Sequence, residues 1–190
     1  MQPELKKAGF LLGLVLFIIC WVGMFFEQGT VVIIASHFLP GLAFSLLILH
    51  YSEYIDTIFN RFLFIFLLTL IYILAVFFVD VDSDNKMGTA IRLLIASSVG
   101  AVMLKVCYDH FYALKLKNNA TFVMPFLAGL VSALPAAVAI YFYKSPGWEG
   151  KMMNMLLYTG IFSIFPIWMY LMSVLIVKTD HGQDFEPEFE

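Results

Sequence analysis

A histidine, His37, stands inside an otherwise uncharged run from Thr30 to Leu49, with Ser36 beside it and Pro40 three residues on. An ionisable group at membrane depth is costly and usually faces a partner, a cavity or a pathway. His37, Pro40 and, further along, Arg92 are therefore the candidates for a proton or solute route. The competing reading of His37 is a neutral ring hydrogen-bonded to a neighbouring helix. Lys105 and Asp109 have the i,i+4 spacing of a helical ion pair, and His110 adjoins them. That cluster reads either as a titrating or partner-docking point, continued by Lys115 and Lys117, or as an ordinary solvated helix end.

Other patterns carry less. DVDSDN, with Asp80, Asp82 and Asp84, resembles the opening of a calcium loop, but Asn85 replaces its glycine and Ile91 its closing glutamate. No metal is assigned. Cys20 and Cys107 form neither a CxxC pair nor an expected disulfide. The chain lacks HExxH, GxSxG, a P-loop and paired carboxylates, so no enzyme activity and no cofactor is expected. Basic residues are few and scattered, which argues against direct nucleic-acid binding.

The elements that must position these groups are apolar spans. The chain of 190 residues is 62% hydrophobic and 13% charged, a composition that fits an all-α, polytopic bundle of transmembrane helices. Its most decisive stretch is Phe62 to Val79, uncharged between Arg61 and Asp80 and about 27 Å long as a helix, close to the thickness of a bilayer core. Six segments are read: Ala8–Phe26, Thr30–Leu49, Phe62–Val79, about Thr89–Val106, Thr121–Tyr143 and Met152–Val177. Lys6 and Lys7 before the first imitate a signal peptide, but the apolar part is long and VGMFFEQG lacks a small-residue cleavage site, so a retained span is expected.

The fourth segment is the marginal one. It spans only if Arg92 and Lys105 snorkel to opposite headgroup regions. Otherwise four spans with two interfacial segments result. Helical periodicity continues through Lys105 to Lys117, as an extension beyond the membrane or along its surface. Pro40, Pro125, Pro135 and Pro166 mark candidate kinks, and the second and fifth spans are expected to be proline-broken. FLPGL (Phe38–Leu42) and FLAGL (Phe126–Leu130) hint at an inverted repeat of the transporter kind.

With six spans and the N-terminus inside, seven basic residues are cytoplasmic and four external, which favours that orientation. Both chain ends then lie in the cytoplasm. Five of the 14 acidic residues fall in the tail, which reads as a flexible segment from 179 onward. There Asp184, Phe185, Glu186 and Phe189 have the aromatic and acidic make-up of a short docking peptide. Small residues at every fourth position, Gly9 with Gly13 and Gly129 with Ala133 and Ala137, suggest faces for close helix packing and for homo-oligomerisation.

In size and layout over the full chain, these spans with a short charged cytoplasmic end resemble the KwaA family, membrane subunits of the Kiwa anti-phage defence systems. Members of that family are four-span proteins, and the six segments depart from that. The resemblance implies an oligomeric inner-membrane component that responds to infection at the envelope and works with KwaB, a cytoplasmic DNA-binding partner. The Lys105–Lys117 extension and the tail would be its docking surfaces. The leading expectation is thus a non-enzymatic sensor or scaffold, in contact with lipid, that forms a homo-oligomer such as a tetramer and recruits a soluble protein. The alternatives are a small-solute or ion transporter or channel using His37, and a bacteriocin immunity protein.

Overall fold

A backbone this rich in apolar side chains can sit in lipid only where its hydrogen bonds close internally, which selects helix. The computed structural model describes residues 2–26, 28–51, 57–79, 85–111, 120–143 and 151–181, and these are helical almost throughout. The helices are α1 (Gln2–Phe25), α2 (Gly29–His37), α3 (Leu39–Tyr51), α4 (Ile58–Phe78), α5 (Lys86–Phe111), α6 (Ala120–Phe142), α7 (Lys151–Phe162) and α8 (Ile164–His181). Five stretches are long and apolar enough to cross a membrane, namely most of α1, α4, α5, most of α6, and α7 with α8 as one run. The α2–α3 pair, bent by 42°, makes a sixth where the two helices are counted as one broken span. The fold is the expected polytopic helical bundle.

Local chemistry sets several boundaries. Thr57 caps α4 by accepting from the Asn60 N–H at 3.2 Å, and Asn85 caps α5 by accepting from the Gly88 N–H at 2.9 Å. The marginal fourth segment becomes the 26-residue α5. It runs straight on past Val106 to Phe111, so Lys105 lies more than a turn inside the helix and not at its end.

Successive spans pack on one another, and α8 returns to α1, which closes a ring; the α5–α6 and α1–α8 pairs are the most extensive. Small residues make those two pairs. A Cβ on Gly13 would lie 2.5 Å from the Pro166 Cα, and one on Gly9 would strike Ser173 Oγ. A Cβ on Gly129 would lie 2.6 Å from the Ser98 Cα, while Ala133 is fully buried and Ala137 packs with Ala90 and Ile140. The faces expected to join copies are therefore consumed inside the protomer, because backbone contact leaves no room for a second chain. The most open apolar surface lies elsewhere. Only 11% of the α4 span is buried, and Phe62 and Phe77 remain about 70% exposed along it.

The prolines act unequally. The helix breaks at Phe38, just ahead of Pro40. At Ser163, ahead of Pro166, backbone bonds from Ser163 to Thr159 (3.1 Å) and from Ile167 to Ser163 (3.4 Å) carry α7 into α8. Pro125 and Pro135 sit within an unbroken α6, contrary to the expectation of a broken fifth span. That helix is held between α5 and the α7–α8 run, and packing of this kind tolerates the lost backbone bond. FLPGL thus straddles a break while FLAGL lies in continuous helix, so the two phrases are not structurally equivalent.

Candidate functional site

The break at Phe38 creates a problem that the neighbouring helix solves. Pro40 has no N–H, so the carbonyl of Ser36 loses its helical donor. The hydroxyl of Tyr72 on α4 donates to that carbonyl at 2.8 Å. Next to it the Ser36 hydroxyl donates to the Val32 carbonyl at 2.7 Å, and His37 Nδ1 lies 2.8 Å from Ser36 Oγ and 3.0 Å from the Ile33 carbonyl. A carbonyl can only accept, and the serine hydrogen is already used, so this network assigns the proton of the neutral ring to Nδ1. Nε2 is left as an acceptor. The ring also meets Phe77 edge-on, with centroids 6.1 Å apart. His37 is hydrogen-bonded, as one reading anticipated, but its partners lie on its own helix.

Below this network is a cavity of about 370 Å³, walled by α2–α3, α4, α5 and α7–α8, with Met24 from α1. Its hollow is set by small side chains on facing helices, Ala75 on α4 against Ala96, Ser97 and Gly100 on α5. Aromatic and sulfur side chains, Trp168 and Met169, make its deeper wall. Trp168 is fixed between Phe44 (5.4 Å between ring centroids) and Tyr72 (6.4 Å). The Ser97 hydroxyl is turned to α6, where it donates to the Gly129 carbonyl at 2.8 Å and lies 3.3 Å from Ser132 Oγ. No charged side chain lines the cavity among the described residues.

Of the proposed pathway residues, His37 and Pro40 come together in this wall and Arg92 does not. Arg92 is half-buried, with Nη2 3.4 Å from Thr89 Oγ1 on its own helix. At the other end of α5, Lys105 and Asp109 do form the i,i+4 ion pair, and both are buried, at 4% and 2% exposure. Lys105 Nζ also lies 5.8 Å from the Tyr108 ring centroid. This corrects two expectations. Lys105 does not snorkel, because α5 continues beyond it and supplies a carboxylate one turn on, and neither residue of the pair is a docking surface. His110 is exposed and packs edge-on against Phe111 at 5.8 Å. Lys115, Lys117, Asp184, Phe185, Glu186 and Phe189 lie outside the described residues, as do Asp80, Asp82 and Asp84.

Tyr72, Ser97 and Trp168 are site residues that sequence reading passed over. Tyr72 had a usable signal: a hydroxyl inside an uncharged span, in a chain where Pro40 had already orphaned a carbonyl. No family model, no curated protein and no solved structure matches the chain.

Proposed function

We propose that this protein is a non-enzymatic membrane sensor that binds a membrane-soluble ligand in the chamber beneath the α2–α3 break. The observation that carries this reading is the chamber itself, whose volume falls within the roughly 300–1,000 Å³ of small-molecule sites. Its polar edge is fixed by hydrogen bonds, its wall among the described residues holds no Asp, Glu, Lys or Arg, and the one hydroxyl beside an imidazole, that of Ser36, gives its hydrogen to the Val32 carbonyl. Such a wall suits binding better than turnover. The excess of basic residues beside the chain ends supports placing that face in the cytoplasm of a bacterial inner membrane. There the exposed His110, the lysines at 115 and 117 and the acidic tail are the surfaces that would recruit a soluble partner. The resemblance to the KwaA family makes anti-phage defence, with a DNA-binding effector, the proposed setting. With the small-residue faces consumed internally, any homo-oligomer would form through the exposed aromatic flank of α4.

One observation favours a second reading, a solute transporter: interrupted spans line many transporter sites, and α2–α3 is interrupted beside His37. A single preparation separates the two. Affinity capture through an N-terminal tag should retain a soluble partner that deletion of residues 184–190 removes at least about ten-fold, with membrane insertion unchanged. Undiminished capture would refute recruitment by the tail. Solute flux in proteoliposomes that His37→Ala abolishes would establish transport instead.

A further inference from the structure

Resting on the sensor reading, a census of hydrogen-bonding groups in the chamber wall narrows the ligand. Three of its four hydroxyls have spent their hydrogens on backbone carbonyls: Ser36 on Val32, Tyr72 on Ser36 and Ser97 on Gly129. The fourth, Tyr158, lies on α7. His37 has likewise committed its Nδ1 hydrogen, which leaves Nε2 as an acceptor beside the break. The indole N–H of Trp168 carries no hydrogen bond among the described residues. The rest of the wall is aliphatic, aromatic or thioether, and a charged group entering it would meet no counter-charge there.

From this the geometry points to a neutral lipid alcohol as the ligand, its apolar chain lying against Trp168 and Met169 and its hydroxyl donating to His37 Nε2. A hydroxyl is the smallest group that gives a hydrogen to the imidazole and whose oxygen can also accept one from a donor in the wall, where the Trp168 indole and the Tyr158 hydroxyl are available. Ketones and ethers bring no hydrogen for His37. Amines bring a charge for which the wall has no partner, and a carboxylate has no hydrogen to give to His37 Nε2.

The test uses the full-length protein in phosphatidylethanolamine–phosphatidylglycerol nanodiscs and a pentadecan-1-ol bearing a mid-chain diazirine and a terminal alkyne. Photolabelling should fall on Tyr72, Leu104, Trp168 or Met169. Unlabelled pentadecan-1-ol should displace the probe at roughly ten-fold lower concentration than pentadecyl methyl ether, which has the same chain and oxygen but no hydrogen to donate. In His37→Phe the two competitors should become equal, and Ala96→Met, which narrows the chamber, should lose the chamber label. Equal competition in the wild type, or a preference that survives His37→Phe, would overturn the alcohol assignment while leaving a ligand-binding chamber intact. Label confined to Phe62 and Phe66, on the exposed flank of α4, would overturn both the assignment and the sensor reading beneath it.

Discussion

The half of the bundle beside the chain ends and the half beneath the α2–α3 break are built from the same helices and filled differently. Beside the chain ends, Phe64, Leu68, Tyr108 and Met172 are fully buried or nearly so, and Phe64 meets Phe111 edge-on at 5.4 Å. Further along the same α4 and α5, the facing residues are Ala75, Ala96, Ser97 and Gly100, and the space between them stays open. A Cβ at Gly100 would meet only the Ala75 Cβ, at 3.3 Å, within 4 Å. A sealed void of such a volume would cost on the order of several kcal/mol, by the dependence measured for cavities in protein cores. The comparison teaches that small residues serve two ends here. Where a backbone comes up against them, as at Gly13 and Gly129, they bring helices into contact; where another small residue faces them, they leave room for something else.

The sharpest way to break that distinction is to add one methyl group at each kind of site. Gly13→Ala should cost about 3 kcal/mol or more, because the new Cβ meets the backbone of Pro166, which cannot turn aside as a side chain would. Gly100→Ala, whose Cβ would meet only the Ala75 Cβ at 3.3 Å, should fall within about 1 kcal/mol of wild type. Equilibrium unfolding in mixed micelles reads both. Equal stabilities would mean that α1 and α8 are not in backbone contact.

A somewhat smaller effect is expected in the tightly filled half. Lys105→Met leaves the Asp109 carboxylate buried without its cation, a loss of about 3 kcal/mol. The double variant Lys105→Met/Asp109→Leu removes both charges and should recover to within about 1 kcal/mol of wild type, since desolvating the pair offsets most of what it contributes. A double-mutant cycle measures the difference. Additive losses would show that the pair is solvated and that the two halves of the bundle are less unlike than their packing indicates.

The class of fold was legible because lipid imposes it: a run such as Phe62–Val79 has no other structure to adopt. The five to six stretches long and apolar enough to cross a membrane were legible too, and so was the i,i+4 spacing of Lys105 with Asp109. What the sequence did not disclose is which way that pair faces. Spacing places two residues on one side of a helix, but only the neighbouring helices decide whether that side meets water or the core. The fate of the prolines was obscure for the same reason. Pro40 ends a helix and Pro135 does not, although each removes one backbone bond, because the packing around α6 differs from that around α2. His37 and Pro40 were found by their chemistry, while Tyr72 and Trp168, contributed from distant spans, needed the folded arrangement to bring them there.

The finest test addresses the link between the broken span and the chamber. Tyr72→Phe should cost about 1 kcal/mol, the usual net worth of one hydrogen bond and within the range seen between membrane helices. Its cause can be isolated by restoring the donor that proline lacks. In a Pro40→Ala background the Ser36 carbonyl regains an N–H four residues on, so removing the tyrosine hydroxyl should then cost only a few tenths of a kcal/mol. If Tyr72→Phe costs the same in both backgrounds, its hydroxyl is not answering the orphaned carbonyl. The bend would then have to be held by the packing of α2 and α3 against α1 and α4, and His37 would owe its place beside the chamber to that packing.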